Sequence, residues 1–225
     1  MNLSIPFFAL LCTGSVWAQL PEGFLVGPET TSPSGQYGII APDFDHGQEE
    51  NSNAIVTVAD GGVLWQIMAP TGFQQMNHGG LYASWDKSER FVLWTVEGKW
   101  FPRSLLLIDL EGERLDLKKI CQDELLQQAR SAFPQAYEAT KKAGGMGEAY
   151  PDGFTLDFQY ERREMLTFPL TLAIGLTNDP KLMRQANAEF AARYLSVTMT
   201  AQVTEDLEVT FSDVAVQGPL RAPTE

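Results

Sequence analysis

The sequence predicts a mixed, mainly β (α+β) fold: two antiparallel β repeats, a helical connector, and a C-terminal β-β-α-β-β antiparallel sheet. Two matching stretches without a gap, residues 32–37 and 86–91, predict the repeats. A change to helical periodicity after Leu117 predicts the connector. In the last third, apolar and polar residues alternate, which predicts strands that are covered on one face.

The repeat region spans residues 19–116. Tyr37 of the first copy and Phe91 of the second are 54 positions apart, and a later strand in each copy ends in an acidic residue followed by Gly61 or Gly112. A β unit of this length cannot bury its apolar face alone. Repeats of this period therefore indicate stacked or radial sheets.

The helical connector and its Gly-rich linker span residues 117–150. Apolar residues recur on one helical face, and a second helix is expected to begin at Pro134 and end at Gly144. The apolar face consists of Leu117, Ile120, Cys121, Leu125 and Ala129. The Cys121 thiol is therefore expected to point into the core.

The C-terminal α+β region spans residues 151–225. Alternation predicts a short strand and then a longer one over residues 166–176. Within the longer strand, Pro169 indicates an edge or a bulge, because proline donates no backbone hydrogen bond. Asp179, followed by a proline, predicts the start of a helix. Two further one-sided strands complete the predicted antiparallel sheet.

Residues 1–18 predict a removable signal peptide, and therefore a periplasmic or secreted protein. The stretch contains no charged side chain, is apolar from Leu3 to Leu11 and ends in Ala18. It is shorter than the ~20 residues that a membrane-spanning helix needs. We therefore expect cleavage before Gln19 rather than a retained anchor, and no transmembrane segment in the mature chain.

Acidic residues outnumber basic ones, 29 against 16, which gives a formal net charge of −13. Such a surface repels phosphate backbones and anionic lipids, so nucleic acid and membrane-surface partners are disfavoured. Once the signal peptide is removed, Cys121 is the only cysteine. The mature chain is therefore expected to fold without an internal disulfide.

The second copy of the repeat carries a family resemblance. Trp85 stands just before its turn, Phe91 follows the turn, and a Leu-Leu-Ile-Asp-Leu strand closes the unit at residues 106–110. This pattern resembles the Ser-Pro-Asp-Gly strand-turn repeat of bacterial periplasmic β-propellers, and the wider chain resembles exported bacterial proteins. The resemblance implies blade-like sheets. Lys87 and Glu89 replace Pro and Gly of the pattern, and no third copy follows; a degenerate four-unit propeller is the alternative fold.

Four residues are candidate metal ligands. Asp43 and Asp45 place oxygen atoms at alternate positions, as a calcium loop does, and His46 and His78 would add imidazole ligands suited to zinc. The twelfth position of a standard calcium loop would be Ala54 rather than Glu. A solvated acidic loop explains the same residues, so we expect no cofactor, with Ca²⁺ or Zn²⁺ as the alternative.

Aromatic residues predict a ligand-binding face. Trp100 and Phe101 follow a Glu-Gly-Lys turn, and Tyr82 belongs to the same aromatic-rich region. Flat rings with a polar tip suit sugars or a protein partner. In addition, Ser34 and Tyr37 match the short Ser-Gly-x-Tyr signature of periplasmic lysozyme inhibitors, although the repeat alignment also explains them.

Three functions are compatible with these residues. We favour a non-enzymatic binding or scaffold module of the bacterial cell envelope that recognises a protein or glycan, because the sequence contains no convincing catalytic constellation. The alternative is a metal-dependent hydrolase that uses Asp43, Asp45, His46 and His78. A further alternative is an inhibitor of a cell-wall hydrolase that uses Ser34 and Tyr37.

Overall fold

The structure is a computed structural model that describes residues 20, 22–27, 29–42, 53–67, 80–97, 102–143, 153–159, 165–178 and 194–219. These residues form three sheets and two helices, so the mixed, mainly β fold class is confirmed. None of the helices in this part of the chain has the length and apolar character needed to cross a bilayer. The predicted signal peptide, residues 1–18, lies outside the described residues.

Each repeat forms one four-stranded antiparallel meander. Blade 1 contains, in sheet order, β1 (Phe24–Val26), β2 (Tyr37–Pro42), β3 (Asn53–Thr57) and β4 (Val63–Ile67). Blade 2 contains β5 (Gly80–Asp86), β6 (Phe91–Glu97), β7 (Pro102–Asp109) and β8 (Arg114–Asp116). A two-residue strand, β10 (Met165–Leu166), extends blade 2 by pairing in parallel with β5.

The two aligned stretches form the same turn. In blade 1 the Tyr37 N–H donates to Ser32 Oγ at 3.1 Å. In blade 2 the Phe91 N–H donates to Asp86 Oδ1 at 2.7 Å. Serine and aspartate each supply the acceptor oxygen that this turn needs, which explains why the first position of the repeat tolerates either residue.

A left-handed residue occupies the same place in both turns. Gly35 has φ of 76° and Glu89 has φ of 61°. Their N–H groups donate to the carbonyl oxygens of Ser32 and Asp86, at 2.9 and 3.1 Å. Glycine adopts this conformation without a steric cost, whereas the glutamate of blade 2 must be held there by other contacts.

The two blades pack face to face. Blade 1 contributes Ile39, Ala41 and Ile55 to their shared core. The residues of blade 2 in this core are Leu81, Trp85, Val92, Trp94, Val96, Leu106 and Ile108. The indole Nε1–H of Trp85 donates to the Thr30 carbonyl at 2.9 Å, so a hydrogen bond also joins the two repeats.

The helix α1 (Leu117–Ala132) packs against both β7 of blade 2 and the third sheet. Its buried residues are Leu117, Cys121, Leu125 and Ala129, four of the five that the periodicity predicts. The fifth, Ile120, is only half-buried. The helix α2 (Pro134–Ala143) begins at the predicted proline. A core that includes Leu93 and Leu107 of blade 2 therefore continues through α1 into the C-terminal region.

The third sheet is antiparallel and consists of β9 (Phe154–Gln159), β11 (Leu170–Asn178), β12 (Ser196–Val203) and β13 (Val209–Gln217), in that order from one edge to the other. The inward residues of β11 and β12 alternate with outward ones and are buried, as predicted. The predicted helix after Asp179 lies outside the described residues.

The structure corrects the prediction for the strand over residues 166–176. Leu166 ends β10 in blade 2, whereas Leu170 begins β11 in the third sheet. Pro169 lies between the two strands, where its missing N–H interrupts no ladder. β11 is paired on both sides, so the proline marks a change of sheet rather than an edge strand.

Candidate functional site

Six of the predicted site residues lie outside the described residues. They are Asp43, Asp45, His46, His78, Trp100 and Phe101. The calcium or zinc site and the aromatic loop therefore stay predictions. Within the described ranges, no group of three or more His, Cys, Asp or Glu side chains is arranged to hold a metal ion.

Ser34 and Tyr37 both make contacts between the two repeats. The N–H and hydroxyl of Ser34 donate to the Glu89 carboxylate, at 2.6 and 2.7 Å. The Tyr37 ring is half-buried and stacks on Trp85 with centroids 5.9 Å apart. Ser34 is itself exposed, so the turn lies at the surface while its polar groups connect blade 1 to blade 2.

Tyr82 lies on β5 and is partly buried. Its ring covers Gly80 of the same strand, since a Cβ at Gly80 would lie only 2.3–2.4 Å from the ring atoms and hydroxyl of Tyr82. An aromatic side chain that covers a neighbouring glycine stabilises a strand. Tyr82 therefore has a structural contact in addition to its partial exposure.

A groove with a volume of about 280 Å³ crosses the open face of the third sheet, opposite the face that packs on α1. The outward-facing residues that line it are Asp157, Gln159, Ala173, Gly175, Thr198, Thr200 and Asp213. They come from all four strands, and sequence analysis did not single out any of them.

The strand register explains the shape of this groove. Gly175 of β11 lies opposite Asp157 of β9 and Thr198 of β12. One pair further along, Ala173 lies opposite Gln159 and Thr200 in the same way. The two smallest side chains thus form a floor along β11, and longer polar side chains on the neighbouring strands form the walls.

Hydrogen bonds orient the two carboxylates of the groove. Gln159 Nε2 donates to Asp157 Oδ2 at 3.1 Å. Ser212 Oγ donates to Asp213 Oδ2 at 2.9 Å. Asp213 has φ of 54° and lies where the pairing of β12 with β13 shifts register. A bulge of this kind turns a side chain out of the regular ladder.

The groove offers carboxylate, amide and hydroxyl groups for hydrogen bonding. Among its described lining residues, none is basic, aromatic, cysteine or histidine. This inventory suits a neutral or cationic ligand that carries many hydroxyl or amine groups, and it opposes an anionic one. None of these described residues is a nucleophile paired with a histidine, which is the arrangement that acyl transfer commonly uses.

A sequence signal for this groove does exist. Alternation along β11 places Ala173 and Gly175 on the outward face, and a glycine inside a strand is unusual. The polar walls were harder to foresee, because Asp157 and Thr198 meet only through the pairing of three strands.

No family model matches the chain, and no curated protein sequence matches it.

Proposed function

We propose that this chain is an exported, non-enzymatic binding module of the bacterial cell envelope, acting in the periplasm or outside the cell. The single observation that carries the proposal is the polar groove on the open face of the third sheet. A ligand site built on strands is held more firmly than one built on loops.

Support for the groove comes from the packing beneath it. The inward residues of β11 and β12 alternate with the groove residues and pack against α1 in the main core. Leu172, Ile174 and Val197 on that inward face are 0–3% exposed. The floor of the groove is therefore fixed before a ligand arrives, and little ordering entropy is lost on binding.

The proposal is tested by capture from a bacterial envelope extract. The immobilised protein is expected to retain a component, and the same component is expected to raise its melting temperature. The double variant Asp157→Ala with Asp213→Ala removes both carboxylates of the groove. It should retain at least tenfold less of this component than the unaltered protein does. Asp206→Ala, which removes an exposed carboxylate from the β12–β13 turn, is the matched control.

The outcomes separate the function from the location of the site. If nothing is retained by the unaltered protein, the binding function is wrong. If the double variant and the control retain as much as the unaltered protein, binding occurs elsewhere. In that case the predicted aromatic residues Trp100, Phe101 and Tyr82 become the next positions to substitute.

A further inference from the structure

Gly175 is a glycine that the fold does not require. A Cβ at this position would have its nearest neighbours at 3.7 Å (Val197 O), 3.8 Å (Thr198 Cγ2) and 3.9 Å (Asp157 Cβ), all ordinary contact distances. The backbone of Gly175 is not left-handed either, in contrast to Gly35 and Gly153. An alanine would therefore fit without strain.

Other glycines of the β sheets differ in this respect. At Gly38 a Cβ would lie 2.8 Å from Val26 Cγ1, and at Gly80 it would lie 2.3 Å from Tyr82. At those two positions a Cβ would force a neighbouring side chain to move. Glycine inside a strand lowers stability because it loses more backbone freedom on folding and packs no side chain. At Gly175 the lower stability is not offset by closer packing in the folded chain.

The missing side chain has one evident consequence, which is the open floor of the groove. A side chain at position 175 would project between Asp157 and Thr198, in the middle of the cavity. Glycine in a strand commonly marks a place where another molecule approaches the backbone closely. The floor at Gly175 and Ala173 is flat, weakly apolar and bordered by polar groups.

We propose that this floor receives one ring of a neutral or amino-sugar glycan, an inference that rests on the binding function proposed above. The ring would lie flat on Gly175 and Ala173, where its C–H groups meet the backbone. Its hydroxyl groups would reach the Asp157, Gln159 and Thr198 side chains, which accept and donate hydrogen bonds.

Size and charge favour this ligand class over others. The volume of about 280 Å³ is slightly below the roughly 300–1,000 Å³ of small-molecule sites, so it suits a single ring of a longer chain. Within the described lining there is no basic side chain to pair with a phosphate or an acidic sugar. An apolar ligand would displace water from the Asp157 and Asp213 carboxylates, and the hydrogen bonds from Gln159 and Ser212 satisfy only part of their capacity to accept.

The test compares Gly175→Ala and Gly175→Val with Thr171→Val in the full protein. Thr171 lies on the same strand and is exposed, but it does not line the groove. Binding to a panel of neutral and amino-sugar oligosaccharides is measured together with the melting temperature. We expect the unaltered protein and Thr171→Val to bind one sugar with equal affinity. Gly175→Ala should melt at the same or a higher temperature and bind at least tenfold more weakly.

Each other outcome overturns this inference in a recognisable way. Equal sugar affinity in both Gly175 variants would place the sugar elsewhere. A lower melting temperature in Gly175→Ala would show that the fold needs the glycine after all. Retention of an envelope protein but of no sugar would reject the ligand class and leave the binding function standing. Failure to bind any sugar or any envelope component would reject both the sugar ligand and the binding function.

Discussion

Glu89 combines an unfavourable backbone conformation with a contact between the blades. Its φ of 61° costs a non-glycine residue roughly 1–2 kcal/mol. Its carboxylate accepts hydrogen bonds from the Ser34 N–H, the Ser34 hydroxyl and the Ser32 hydroxyl, at 2.6, 2.7 and 3.1 Å. Bonds to a charged acceptor are stronger than neutral ones, so they offset the strain of the turn.

Replacement of Glu89 by glutamine tests whether the hydrogen bonds to the ionised carboxylate offset the backbone strain, because their contribution to stability depends on pH. Burial raises the pKa of Glu89, but the hydrogen bonds from Ser34 and Ser32 outweigh it, so the pKa is lowered from its ordinary 4.5. The stabilisation is therefore fully present above pH 4.5 and declines as the pH falls through the lowered pKa. At pH 7 we expect Glu89→Gln to lower the free energy of unfolding by about 1 kcal/mol, as measured by urea denaturation. The value is small because the turn is exposed.

The same measurement at pH 3 should give a smaller difference between Glu89→Gln and the unaltered protein. Glu138→Gln, on the exposed side of α2, is the control and should change stability at neither pH. A difference that is equal at pH 7 and pH 3 would show that the ionised carboxylate does not supply the stabilisation.

At the scale of elements, a buried amide joins a helix to two strands. Asn178, the last residue of β11, donates from Nδ2 to Thr140 Oγ1 of α2 at 2.9 Å. Its Oδ1 accepts the Leu195 N–H just before β12, at 2.6 Å. Asn178, Thr140 and Leu195 are fully buried. One side chain therefore fixes where the chain leaves the third sheet and where it returns.

Asn178→Ala is expected to lower the free energy of unfolding by about 2–3 kcal/mol, because it leaves the buried Leu195 N–H without its acceptor. Thr177→Ala, one residue earlier and on the opposite face, should cost less than about 1 kcal/mol. Urea denaturation of both variants measures the difference. Equal losses in the two variants would mean that the amide does not hold the ends of β11 and β12 together.

At the scale of the whole molecule, one continuous core joins blade 2, α1 and the third sheet. Cys121 of α1 lies inside it and is 0% exposed. Burial raises the pKa of the Cys121 thiol to about 12. The reactive thiolate is therefore scarce near neutral pH, and reagents reach the sulfur only when α1 separates from the sheets.

Alkylation of Cys121 is expected to be slow at pH 8 in native buffer and to accelerate together with global unfolding as urea is added. Mass spectrometry of the peptide that contains Cys121 follows the reaction. Leu125→Ala, which removes a fully buried neighbour on the same helix face, should cost about 2–5 kcal/mol and shift the onset of labelling to lower urea. Rapid labelling of the unaltered protein without urea would contradict a closed core.

Local patterns were sufficient to predict several elements. The stripe of Leu117, Ile120, Cys121, Leu125 and Ala129 identified α1 because a helix brings these positions towards one face, where all but Ile120 are buried. The gapless match between residues 32–37 and 86–91 identified two equivalent turns because their hydrogen bonds are local. The prediction that Pro169 lies within a strand was wrong. Apolar and polar residues alternate in the same way whether a proline lies within one strand or between two strands, so the pattern does not distinguish the two cases.

The sequence by itself determined the mainly β class, the pair of repeats and the helical connector, because periodicity and turn chemistry act over a few neighbouring residues. Only the tertiary structure decided that Glu89 accepts hydrogen bonds from the turn of the other blade. It also decided that β10 pairs with β5 of blade 2 and not with the third sheet. It also decided the groove at Gly175, where side chains from four strands meet. Contacts between residues far apart in the chain depend on strand register and sheet packing, which no local pattern specifies.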